Sequence, residues 1–216
     1  MARFVPDLLT AVTPFVVIAG VFAGALAHHL GEPARAAVRF ESALGRSTPL
    51  AEAVADDDSV SLERMPCFDA CPAYRVRIDG AGRIQFVGQS GVCETRPLPT
   101  RIDRQTAQRL IIALREAGFE ALPRVFGGHS DRPARMVELH AGGVAHRVTD
   151  RGAPVQDVPL VEAAAAAIDR LAGTARWLPR PRADGPPWCP LPDGRRGVFM
   201  RGSGRLVPEA AAASGP

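Results

Sequence analysis

The chain contains no lysine. All 26 of its Lys+Arg positions are arginine, and the formal net charge of its 216 residues is only +3. Proteins that bind nucleic acid gather basic charge on one patch or helix. Here the arginines are spread along the sequence, so a composition biased toward Arg, Ala, Gly and Pro, as in a GC-rich genome, explains them better. Nor is apolar character lacking: 46% hydrophobic and 23% charged residues lie within the ordinary globular range and exclude wholesale disorder. Charge is wholly absent from one place, Leu8 to Ala27, a run of 20 residues. That length suits a hydrocarbon layer of roughly 30 Å. The run also ends in Ala25-Leu26-Ala27, the small-x-small pattern of a signal-peptidase site, after Arg3. A cleaved signal peptide and an N-terminal membrane anchor both place the rest of the chain outside the cytoplasm. The expected location is a bacterial cell envelope, with the folded domain periplasmic.

The length suits one domain with tails. We read residues 1–27 as signal peptide or anchor, 28–58 as a helical and linker segment, 59–178 as the folded domain, and 179–216 as an irregular tail rich in Pro, Gly and Arg. Glu32 to Gly45 suggests a helix extending away from the membrane. Within the domain, Val60 and Leu62 suggest a strand, and a hairpin follows. Tyr74, Val76 and Ile78 alternate with polar residues, as do Ile84 and Phe86. A three-residue loop Gly80-Ala81-Gly82, with Gly82 left-handed, pairs Ile78 with Ile84, Val76 with Phe86, and Asp79 with Arg83. A helix is expected from the Asp103 cap to the Gly118 stop, then a hairpin turning at Gly142-Gly143. A last helix runs from Val158 to Ala172, capped by Asp157 and ended by Gly173. The expected fold class is α+β: an antiparallel sheet of about five strands, in the order strand, hairpin, helix, hairpin, helix, with two helices on one face.

Cysteine is scarce, with four in the chain. Cys67 and Cys71 stand between Pro66 and Pro72, which favours a looped backbone and, in an oxidising compartment, a local disulfide. Closing so small a ring stabilises by roughly 2 kcal/mol in the chain-entropy model. Cys93 and Cys189 complete an even count and form a candidate second pair, although four cysteines allow three connectivities. A thiol-redox or metal-dependent enzyme built on Cys67 and Cys71 is the main alternative. It would need a thiolate stabilised by cations such as Arg64 or Arg75, or further ligands such as His140 and His146. The expected register pairs Leu139 with His146 and His140 with Ala145, which sends the two imidazoles to opposite faces of the sheet. A third alternative is an Arg-rich tail that binds anionic lipid or nucleic acid.

No nucleophile elbow is present, since G-Q-S-G at 88–91 lacks the required spacing. The residues converge on no catalytic set and call for no cofactor. The loop G-G-H-S-D, with His129 and Asp131, is the candidate ligand loop, because functional groups gather on loops. The expected partners are the membrane, through the N-terminal segment if it is uncleaved, and an unidentified envelope component.

The run V-S-L-E-R-M-P-C-F-D-A-C-P-A-Y-R-V-R-I-D-G-A-G-R-I-Q-F-V-G, the D-R-P loop and the closing A-I-D-R-L-A-G-T-A-R-W-L together resemble the bacterial family called domain of unknown function 6438. The resemblance covers roughly 60–178. The family's C-F-G-x-C-P-x-Y signature is matched by Cys67, Phe68, Cys71, Pro72 and Tyr74, and departs at Asp69, where the family usually has glycine. It implies a small α+β domain often attached to an export signal, with Gly80 and Gly82 in its hairpin, and it implies no particular activity.

Overall fold

The computed structural model describes residues 31–46, 53–67, 71–97, 99–128, 133–183, 185–199 and 205–212. The charge-free run 8–27, Phe68 and the loop residues His129 and Asp131 lie outside them. Among the described residues no helix is long and apolar enough to cross a membrane.

The hairpin forms as its turn chemistry demands. Strands β2 (Ala73–Asp79) and β3 (Arg83–Ser90) pair Ile78 with Ile84 and Val76 with Phe86. The buried Asp79 carboxylate holds the turn: it accepts from the backbone N–H of Ala81 and Arg83 and from Arg83 Nε at 2.6 Å. Both turn glycines are required. Gly82 has φ +81°, and a Cβ there would meet the Ile102 carbonyl; one on Gly80 would strike the Ala55 carbonyl. A bulge between Ala73 and Tyr74 lets both residues be buried at the start of β2.

β1 (Ser59–Arg64) lies at the centre of the sheet, between β2 and β6 (Arg135–Ala141). β7 (Val144–Asp150) pairs with β6 in the expected register, Leu139 opposite His146 and His140 opposite Ala145. Two strands went unseen in the sequence, β4 (Thr100–Arg101) and β5 (Val125–Phe126), each two residues long and too short to alternate. The sheet therefore has seven strands in the order β4-β3-β2-β1-β6-β7-β5, not about five. It is antiparallel except where β5 runs parallel to β7.

Three helices, not two, cover one face. Helix α1 (Glu32–Leu44) buries Ala36, Phe40 and Ala43, spaced as one helical face, against α2 (Arg104–Glu116) and α3 (Pro159–Ala172). The helix and its stop at Gly45 are as expected; what the sequence did not show is that its apolar stripe closes the helical layer of the domain. Asp103 caps α2 by accepting from Thr106 N–H, and Gly118 follows it in the left-handed region, both as expected. The start of α3 differs. Asp157 lies in a 3-10 turn and does not cap, and Pro159 occupies the first turn, where its missing N–H leaves no donor to satisfy. Alanines 164, 165 and 167 of α3 are buried and let it lie close to the sheet.

The tail is more regular than its composition suggests. β8 (Trp188–Pro190), β9 (Arg196–Phe199) and β10 (Leu206–Pro208) form a separate antiparallel sheet. Strands so short and proline-bearing show no period in the sequence.

Candidate functional site

Cys71, Pro72 and the start of β2 meet the end of β1 and the start of β6 at one end of the sheet. Arg64 ends β1 and Arg135 begins β6, and the pairing of these strands sets the two residues directly opposite each other. Like charges so placed repel. Each guanidinium is accordingly matched by carboxylate: Asp169 for Arg64, and Asp150 with Glu162 for Arg135.

Arg64 reaches α3, where it donates to Asp169 Oδ2 from Nε at 3.0 Å and from Nη2 at 2.6 Å. Arg64 Nε also lies 2.9 Å from the Tyr74 hydroxyl oxygen, and that hydroxyl donates to Asp169 Oδ1 at 2.7 Å. Thr174 Oγ1 donates to the same oxygen at 2.9 Å. Burial, and then the neighbouring Asp169 carboxylate, push the Tyr74 phenol up from 10.0 to about 12. Its ring stacks on Phe86 at 5.2 Å, and Phe86 packs on Trp177 at 4.5 Å. Tyr74 thus ties β2, β3 and α3 together through both its ring and its hydroxyl.

Arg135 donates from Nε to Asp150 Oδ2 at 2.9 Å and from Nη1 to Glu162 in the first turn of α3. Asp150 is fully buried, and its second oxygen accepts from Ala153 N–H at 2.8 Å. Two arginines and three carboxylates therefore share this end of the domain. Glu162 is the most exposed of the carboxylates, at 39%, against 19% for Asp169 and 0% for Asp150.

Of these groups Arg64, Arg135 and Glu162 line a cleft of about 390 Å³ whose walls also include Cys71, Pro72 and Ala134. Cys67 and Cys71 are bonded to each other at its edge. The candidate ligand loop is not described at His129 and Asp131, but the residues that follow it, Pro133 and Ala134, line this cleft. Its chemistry is that of a fixed polar wall: guanidinium donors already engaged, with the Glu162 carboxylate the one most open to exchange.

The remaining residues singled out in the sequence lie elsewhere. Cys93 and Cys189 are joined, and Cys93 N–H also donates to the Trp177 carbonyl at 2.8 Å. Gly80 and Gly82 serve the hairpin turn at the other end of β2. His146 lies edge-on to Phe119 at 5.8 Å, with Nε2 3.1 Å from the Leu122 carbonyl, so it is a packing residue. Among the described residues no three His, Cys, Asp or Glu side chains converge as metal ligands. Sequence reasoning named Arg64 only as a cation near the cysteines, and it missed Asp169, Arg135, Asp150 and Glu162. No spacing rule joins Tyr74 to Asp169, since their contact depends on how α3 crosses the sheet. The Arg64 to Arg135 pairing follows only once β1 is known to lie beside β6.

Beyond the cleft, the sheet face without helices is polar. Arg75 pairs there with Glu63, and Arg147 with Glu138. In the tail, Arg180 and Arg196 each place a guanidinium 5.0 Å from the Trp188 ring.

No curated protein matches the chain. A family model, described as domain of unknown function 6438, matches residues 58–172, from just before β1 to the end of α3. That match takes in the seven-stranded sheet, the signature loop and every charged group of the cleft, and the chain belongs to the domain of unknown function 6438 family.

Proposed function

We propose that this protein is a non-catalytic binding or structural module of the bacterial cell envelope, held outside the cytoplasm by residues 1–27 and presenting the Arg64–Arg135 cleft to its partner. One observation carries this reading: all four cysteines are consumed in two disulfides, one at the cleft and one pinning the tail. Disulfides persist in oxidising compartments. The deciding measurement is the intact mass of protein recovered from its own envelope fraction, alkylated without reductant. Four unalkylated cysteines support the module. Alkylation at Cys67 and Cys71 overturns it in favour of thiol chemistry, with Arg64 beside the cleft to stabilise a thiolate.

A second reading rests on Trp188. Among the described residues, neither Arg180 nor Arg196 meets a carboxylate, whereas Arg182 and Arg195 do. Two uncompensated guanidiniums beside an indole suit an anionic surface such as a phosphatidylglycerol bilayer. For the form cleaved after Ala27, binding to such vesicles would fall steeply with salt, and Arg180→Ala with Arg196→Ala would abolish it.

A further inference from the structure

An apolar groove of about 430 Å³ lies on the helical side of the domain, separate from the cleft although the start of α3 borders both. The first turns of α1 form one wall, the segment after α2 another, and the start of α3 the third. Ala36, Ala121, Leu122, Phe126, Val158 and Leu160 supply its surface. Its charged groups are few. Glu32 and Arg39 stand on one side, engaged with each other at 2.9 Å, and Asp157 stands on the other. Ligand sites of this size are ordinary, at roughly 300–1,000 Å³, but most place several polar groups to orient a polar ligand. This one offers an apolar trough with its nearest cation already paired. Such a surface suits an alkyl chain, which asks for burial and no directional bonds.

Where the groove lies in the chain indicates the source of that alkyl chain. Glu32 and Pro33 line it, and they follow directly on Gly31. The charge-free run ends at Ala27, four residues before Gly31. Four residues of extended backbone span at most roughly 14 Å. With the run 8–27 in a bilayer, the groove is therefore held at the membrane surface, within reach of the lipids. We propose that the groove takes up an acyl chain of a membrane phospholipid; this rests on the reading of residues 8–27 as an anchor.

The test uses the full chain purified from membranes. It is reconstituted into vesicles of phosphatidylethanolamine and phosphatidylglycerol that carry a diazirine midway along one acyl chain. After flotation the vesicles are irradiated and the adducts mapped by peptide mass. Adducts are expected in 117–126 and 157–161 as well as in 8–27. Ala121→Trp fills the groove from an exposed wall position and lowers the groove adducts about tenfold; Ala121→Glu, which places a carboxylate there, does the same. Gln85→Trp, on the opposite sheet face, leaves them unchanged. A chain that floats with the vesicles but gives adducts only in 8–27 overturns the groove proposal and leaves the anchor standing. Groove adducts that neither Ala121 variant reduces overturn it as well. A chain that fails to float overturns the anchor and the groove proposal together.

Discussion

The two disulfides make an instructive pair. Cys67 and Cys71 are four residues apart, while Cys93 and Cys189 are 96 apart. The first closes a small loop beside a dense core, where Tyr74, Phe86 and α3 already fix the start of β2. The second joins that core to a small sheet in which Cys189 and Val198 are the buried hydrophobic residues. A sheet of three short strands with so little to bury is marginal alone. In the chain-entropy model the short ring contributes roughly 2 kcal/mol and the long one roughly 4–5 kcal/mol. The same bond thus shapes a loop at one site and attaches a subdomain at the other.

Removing the long bridge sharpens the contrast most. Cys93→Ser with Cys189→Ser is expected to cost about 4–5 kcal/mol and to release the tail. Limited proteolysis should then cut within 179–208 while the matched domain stays protected. If the domain is digested as fast as the tail, the tail is part of one cooperative unit and the distinction fails.

Asp169→Ala strikes the core side of the comparison. It leaves Arg64 and the Tyr74 hydroxyl without their carboxylate. Breaking a buried pair costs about 3–5 kcal/mol, reduced here to about 2–3 kcal/mol because the Arg64 side chain is 34% exposed. Urea denaturation reads this loss, and the tail should remain uncut. Next in size is Cys67→Ser with Cys71→Ser, at about 2 kcal/mol by thermal melting in oxidising buffer, again with no release of the tail. An unchanged melting temperature would refute a stabilising role for this bridge.

The last effect is read in alkali. The Tyr74 phenol is raised from 10.0 to about 12 in the folded protein. A raised value means stability that is complete below pH 10 and lost as the pH climbs toward about 12, on the order of 2 kcal/mol across that window. Tyr74 is the chain's one tyrosine, so phenolate absorbance reports it alone. Tyr74→Phe should remove this alkaline loss at a cost of about 1 kcal/mol at neutral pH. A phenol that titrates near its ordinary value would mean that the bond to Asp169 is not maintained in solution.

Local chemistry made much of this fold legible. Alternation and the Gly82 turn were enough for the β2–β3 register, and Gly142-Gly143 for the β6–β7 register. Asp103 and Gly118 bounded α2 because caps and stops are local signals. What escaped was set by distant contacts. β4 and β5 exist because the sheet edge offers them partners, and α1 belongs to the core because α2 and α3 leave room for Phe40. The cleft escaped for the same reason. The carboxylates that hold its arginines come from the end of β7 and both ends of α3; strand pairing brings Asp150 to Arg135, and the packed helix brings Glu162 to Arg135 and Asp169 to Arg64.

The burial of Phe40 also bears on where the domain begins. The family match starts at residue 58, yet Phe40 of α1 is fully buried against the matched helices. A fragment cut at the match would expose that socket to water and gain a sticky face on its helical layer. A protein carrying only the matched stretch must plug the socket with something else, such as another leader, another domain or a second copy. The boundary of the recurring sequence and the boundary of the sealed core are therefore different lines.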